Sequence, residues 1–225
     1  LSLFQGFLSF ADLERADRFR FGQDRRDFIL TRGMLRVLIS RYVHTAPERI
    51  DLIYSPSGQP TLAGAHTPPL KFSLSHSRDL VLYAFALETP VGIDVEFCGY
   101  DLDFQAIAGA FFDPEEQQFL ESVPGADRGA VFFRLWSFKE AYLKARGLGL
   151  STSMPRYSIG LPGPGRSRVV VSEDAHGPLS PPREWLIQSV EVHPEYLAAV
   201  AAEGTGWSLQ FWEVSPPASG NGGES

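Results

Sequence analysis

The sequence predicts an α+β fold built as two similar halves. A long helical pattern over residues 24–43 and a second over residues 128–146 each lead into runs that alternate, or are wholly apolar, in the manner of strands. Glu88-Thr89-Pro90 forms a short link between them, dividing the chain into an N-terminal half, residues 1–89, and a C-terminal half, residues 90–214. The 225 residues, 44% hydrophobic and 12% aromatic, can bury one large core or two modest ones. The repeated outline implies two related halves packed face to face, and ligands favour such interfaces.

Residues 1–10 are apolar and strand-like, and Leu1 in place of Met implies a processed or incompletely represented start. Residues 11–21 read as a short helix that carries Arg15, Arg18 and Arg20 and feeds a turn at Gly22. The helix over 24–43 takes Asp24 as its N-cap and buries Phe28, Leu35, Leu38 and Tyr42, while Arg25, Arg26, Arg32, Arg36 and Arg41 read as its solvated face. Residues 50–54 form a strand, and 55–60 a turn heavily punctuated by Pro and Gly. Strands follow over 71–77 and 80–87, the first ending in Ser75-His76-Ser77.

In the strand over 91–96, β-branched residues alternate with Asp94 and Glu96, so a period of two puts both carboxylates on one face. Residues 104–112 and 114–120 read as two helices, the second with Pro114 in its first turn and Asp113 as its cap. Phe111, Phe112 and Phe119 are equally suited to core positions and to exposed anchors. After a loop over 124–129, the helix 128–146 has an apolar stripe of Val131, Leu135, Phe138 and Tyr142, with Glu140 and Lys144 one turn apart on another face. Gly147-Leu148-Gly149 suits a left-handed cap. Strands are expected over 157–160, 168–171, 185–192, 196–202 and 209–214, and residues 215–225 have the composition of a disordered tail.

Charge divides unevenly. Residues 1–89 hold 11 Lys/Arg against 9 Asp/Glu, and residues 90–225 hold 9 against 18. A basic half facing an acidic one suits an anionic ligand between them with a metal on the acidic side, while the net charge of −7 argues against a general nucleic-acid binder. No run reaches the length of a membrane span and no secretory leader is apparent, so no membrane partner is expected and the expected compartment is the cytoplasm. Cys98 is the only cysteine, which excludes an internal disulfide and a cysteine zinc site and leaves it as a small, partly buried hydrophobe.

Asp94, Glu96 and Glu140 together form a hard oxygen set, which suits Mg²⁺ holding a phosphate better than zinc or copper, and Lys144 beside it would offset further phosphate charge. Ser75 and His76 can donate to phosphate oxygens. A Ser-His hydrolase has no Gly-x-Ser-x-Gly elbow here to expose its nucleophile.

Gly92-Ile93-Asp94-Val95-Glu96, followed by Trp136-Ser137-Phe138-Lys139-Glu140-Ala141-Tyr142-Leu143-Lys144, resembles the paired signature of the 4'-phosphopantetheinyl transferases. The length and the added N-terminal half are similar to the large pseudo-dimeric class that activates peptide synthetases and polyketide synthases. The resemblance implies a pseudo-twofold fold of two α/β halves that works as a monomer. It implies transfer of 4'-phosphopantetheine from coenzyme A to a serine of an apo acyl or peptidyl carrier protein, releasing 3',5'-adenosine bisphosphate. Asp94, Glu96 and Glu140 would hold Mg²⁺, with Asp94, Glu140 and Lys144 carrying the chemistry and Glu140 or Glu116 as the base. Arg15 and Arg18 fall near positions where the family places basic residues on the 3'-phosphate of coenzyme A. Ser75, His76 and Lys144 belong to the same ligand's phosphates. Where the family commonly has Gly-Lys-Pro near the nucleotide, this chain has Gly58-Gln59-Pro60, so a charge contact gives way to a hydrogen bond. The competing readings are a coenzyme A hydrolase and a non-catalytic binding module on the same fold.

Overall fold

Helix α3 (Gly22–Val43) buries every residue from 31 to 39, two arginines included. It is the spine of the first of two compact units in the computed structural model, which describes residues 1–56, 58–64, 67–99, 102–148, 159, 168–173 and 183–214. That unit comprises residues 1–52 and the chain from 208 onward. Arg36, expected on a solvated face, is 1% exposed. Its Nε donates to Asp12 Oδ2 at 2.6 Å, and its Nη1 donates to the carbonyls of Pro47 and Ile50 at 2.8 and 2.7 Å. A buried cation is tolerated because an anion and two carbonyls replace its water. Arg32 is also buried and lies over the Phe28 ring at 5.5 Å, whereas Arg26 and Arg41 are exposed as expected. Tyr42 is 50% exposed rather than buried.

Asp24 is not the cap of α3. Phe21 occupies that position without a side-chain bond, and Asp24 falls in the first turn, facing the positive end of the helix dipole. The N-terminal segment is helical where strand character was expected: α1 (Ser2–Gln5) is followed by α2 (Phe10–Asp17), capped by Ser9, whose Oγ accepts from the Asp12 N–H at 3.3 Å. α1 buries Phe4, α2 buries Asp12 and Ala16, and Leu8 is buried in the bend between them. A short 3-10 turn, Pro47–Arg49, closes this part of the chain.

The second unit, residues 53–207, carries most of the sheet structure. β1 (Leu52–Tyr54) and β2 (Pro60–Leu62) make a two-stranded ribbon. β3 (Leu70–Ser77) and β4 (Leu80–Leu87) make an antiparallel hairpin in register from Leu70 opposite Leu87 to Ser77 opposite Leu80. β5 (Val91–Phe97), β6 (Arg168–Glu173), β7 (Arg183–Val190) and β8 (Tyr196–Glu203) form an antiparallel sheet in the order β5-β8-β7-β6. Residues 205–214 carry no regular structure; apolar alternation over 209–214 does not make a strand without a partner edge to complete its hydrogen bonds. The expected strand at 157–160, except Ile159, and the tail at 215–225 lie outside the described residues, as does Gly149.

Helix α6 (Gly125–Ala145) lies against β5 and β8, and α4 (Phe104–Phe111) and α5 (Pro114–Ser122) pack on α6. Asp113 caps α5 as expected and completes a capping box with Glu116. α6 starts at Gly125, three residues before the expected start at 128, and stops at a left-handed Gly147, φ +69°. Its buried face, Leu135, Phe138, Ala141 and Tyr142, packs with Trp185, Ile187, Ala199 and Ala201 into the main core. Phe112 joins that core at 1% exposure, and Phe111 meets Trp136 edge to face at 5.4 Å. Among the described residues no helix is long and apolar enough to cross a membrane.

Candidate active site

Gly92 decides how close the two motif-bearing elements come. A Cβ built there would stand 2.0 Å from the Ala141 carbonyl oxygen and 2.4 Å from the Ala145 nitrogen, so the backbone of α6 rests directly on β5. An interior strand glycine often marks such an approach. Two residues on, the pleat presents Asp94 to the same face, and two further on Glu96. The last turns of α6 bring Glu140 and Lys144 beside Asp94, and an earlier turn brings Trp136 beside Glu96. Lys144 Nζ donates to Asp94 Oδ1 at 2.7 Å, and Trp136 Nε1 donates to Glu96 Oε1 at 3.1 Å.

β3 fastens the other side. Its alternate residues Ser73, Ser75 and Ser77 are buried towards β5. The Ser73 and Ser77 hydroxyls accept from the Ile93 and Phe97 N–H groups at 3.2 and 3.1 Å. Ser75 Oγ donates to Asp94 Oδ1 at 2.9 Å and accepts from Lys144 Nζ at 3.0 Å. His76, between them in the strand, is exposed. Ser75 is thus engaged within the protein, while His76 lies open to solvent.

Asp94 and Glu140 are 3% and 5% exposed. Asp94 Oδ2 and Glu140 Oε1 are buried without a hydrogen-bond partner. Burial raises the Glu140 carboxyl to about 8, with the Lys144 ammonium lowering it and the charges of Asp94 and Glu96 raising it further. Glu96 is raised to about 7, first by burial and then by Asp94, against the lowering influence of Trp136, Lys144 and Ser77. The three carboxylates therefore feel one another. Among the described residues no three acidic, imidazole or thiol groups are already assembled as a metal cage, and Lys144 is the cation that neutralises Asp94. Unpaired buried carboxylate oxygens that repel one another nevertheless fit a hard divalent cation.

Glu116, the other candidate base, is fully buried. It accepts from Lys139 Nζ at 2.5 Å, from the Asp113 N–H at 3.0 Å and from the Ile159 N–H at 3.2 Å. Those bonds give it a structural task. Arg15, in the last turn of α2, and Arg18, the cap residue of that helix, are both exposed.

The sequence profile of the 4'-phosphopantetheinyl transferase superfamily matches residues 90–201, and that of the 4'-phosphopantetheinyl transferase N-terminal region matches residues 2–88. The chain is 34% identical over 206 residues to the 4'-phosphopantetheinyl transferase HetI of Nostoc sp., covering 91% of this chain and 82% of that protein. The chain belongs to the 4'-phosphopantetheinyl transferase superfamily. This transferase is also 34% identical over 198 residues to psf-1 of Bacillus pumilus, covering 86% of this chain and 78% of that protein. It is 30% identical over 199 residues to Sfp of Bacillus subtilis, covering 88% and 84% respectively; both relatives are named 4'-phosphopantetheinyl transferases.

Four residues of the candidate site escape a reading for charge and hydrophobic periodicity: Gly92, Ser73, Ser77 and Trp136, whose indole N–H holds Glu96. A glycine inside a strand and serines at every second position were the available signals.

Proposed function

We propose that this chain transfers the 4'-phosphopantetheinyl group of coenzyme A to a serine hydroxyl of an apo acyl or peptidyl carrier protein of the peptide synthetase and polyketide synthase type. The observation that carries this reading is the convergence of Asp94, Glu96, Glu140 and Lys144 in a chain of this superfamily, with two buried carboxylate oxygens unpaired. The serine oxygen attacks the phosphorus on the pantetheine side of the pyrophosphate, one P–O bond forms, the bridging P–O bond breaks, and 3',5'-adenosine bisphosphate leaves.

Asp94, Glu96 and Glu140 would hold Mg²⁺, which supplies charge neutralisation at the pyrophosphate when bound. Two of the three are fixed by donors: Asp94 by Ser75 and Lys144, and Glu96 by Trp136. Glu140 Oε1 has none, and is the oxygen we assign to the serine proton. Lys144 and His76 meet the pyrophosphate oxygens, with Ser75 beside them. Positioning and fixed charge do most of the work, as in other phosphoryl transfers. The order of elements along the chain, α3 before β3 and β4 and α6 before β6 to β8, supports halves of related, pseudo-twofold design at residues 1–89 and 90–214. The enzyme acts as a monomer in the cytoplasm.

The test is incubation of the chain with Mg²⁺ and coenzyme A, first alone and then with an apo carrier protein, following bisphosphate release and carrier mass. Release only with the carrier, matched by its gain of one phosphopantetheinyl group, is the expected result. Release without acceptor would make the protein a hydrolase, and no release with either would make it a binding module.

A further inference from the structure

The turn between β1 and β2 is shaped by its own hydrogen bonds. The Ser55 N–H donates to the Gln59 carbonyl at 2.9 Å, the Gly58 N–H to the Ser55 carbonyl at 2.8 Å, and the Gln59 N–H to the Ser55 hydroxyl at 3.1 Å. Gly58 takes φ +82°, a region that costs other residues strain. With its backbone clamped on both sides, Gln59 leaves the turn in a set direction, and its Nε2 donates to the Lys144 carbonyl at 2.9 Å. That carbonyl belongs to the last turn of α6, where helix carbonyls have no partner further along the helix. It also accepts from the Gly147 N–H at 3.1 Å.

Lys144 is thereby held at two places: its carbonyl by the β1–β2 turn, and its ammonium by Asp94 and Ser75. We infer that Gln59 is a positioning residue for this enzyme, fixing the last turn of α6 and through it the Lys144 ammonium. The inference rests on the reading that Lys144 handles phosphate oxygens. The contact needs a donor at position 59 and needs no charge there. The Gln59 side chain thus serves the helix that carries Lys144.

Two readouts test this. The first is a mutant cycle of Gln59→Ala with Lys144→Ala, measuring kcat and the KM for coenzyme A with carrier protein and Mg²⁺. Gln59→Ala alone should lower kcat roughly 3- to 10-fold, the worth of one neutral hydrogen bond. In the Lys144→Ala background it should cost nothing further, since residues acting as one unit are not additive. Gln59→Glu, of the same shape but an acceptor only when ionised, should lose at least as much, and Gln59→Lys, which restores a donor, should recover most of the rate. Equal losses in both backgrounds, or a raised KM with kcat unchanged, would overturn the inference.

The second readout needs no activity: the ¹³Cε NMR signal of Lys144 in the unliganded protein. It should move in Gln59→Ala and Gln59→Glu and return in Gln59→Lys. A signal unchanged in Gln59→Ala sinks the inference even if the enzyme transfers normally. Conversely, a responsive signal in a chain that transfers nothing leaves the positioning role standing and removes the proposed reaction.

Discussion

Replacing Gly92 by alanine tests whether the approach of α6 to β5 builds the site. The added methyl carbon would meet backbone atoms at 2.0 Å (Ala141 O) and 2.4 Å (Ala145 N), whereas real Cβ contacts under 3.0 Å essentially never occur. Neither atom is the end of a flexible side chain, so the helix must retreat by about 1 Å, the shortfall against that limit. Overpacking of this kind costs about 1–3 kcal/mol, and a domain of this size loses roughly 2–4 °C of Tm per kcal/mol. Glu140 and Lys144 sit beside the two atoms displaced, so the 2.7 Å bond from Lys144 to Asp94 lengthens past hydrogen-bond range. A misplacement of about 1 Å costs on the order of 10²-fold in rate. Thermal melts by circular dichroism and carrier conversion by intact mass measure the two consequences separately. The variant should fold, melt lower and lose most of its kcat. Wild-type melting together with wild-type turnover would refute the claim that this contact sets the site.

Glu140→Gln and Asp94→Ala should each lower carrier conversion by about 10²–10⁴-fold with Mg²⁺ present, and undiminished rates in both would dismiss the assigned roles. Arg36→Met removes the guanidinium paired with buried Asp12; breaking such a pair costs about 3–5 kcal/mol, which urea unfolding would register, whereas a stability change near zero would place Arg36 at the surface. Folded values of about 7 for Glu96 and about 8 for Glu140 lie above the ordinary 4.5, so the folded state holds these protons more tightly than the unfolded one. Their contribution to stability is full below the ordinary value and is lost progressively as pH rises from there through about 7 and about 8. In chelator, Tm should therefore fall across that window, and Mg²⁺ should restore progressively more of it as pH rises; a flat profile without metal would contradict the burial and, after it, the mutual repulsion that raise these carboxyls.

What the sequence discloses about this fold follows the range of the interaction involved. The stripe of α6, the Asp113 cap of α5 and the left-handed stop at Gly147 depend on neighbours within a turn or two, and they stand where periodicity and capping chemistry put them. The arginines of α3 mislead for the opposite reason. Charge at helical spacing is indistinguishable from a wet face until Asp12 and the Pro47 and Ile50 carbonyls close around Arg36 from other parts of the chain. Residues 1–10 are apolar enough to read as strand-like, yet Ser2–Gln5 forms a helical turn that buries Phe4, and Leu8 is buried beyond its end. At the site, the acids and the lysine are visible as chemistry, but the parts that aim them have little chemistry of their own: a missing side chain at Gly92, hydroxyls on β3, an indole N–H. Such parts are defined by what they allow other groups to do. If the glycine lets the helix descend and the serines hold the strand, then Asp94 and Lys144 meet at 2.7 Å because of residues that carry no charge, and variants of those residues should disturb the reaction while leaving every charged group in the chain in place.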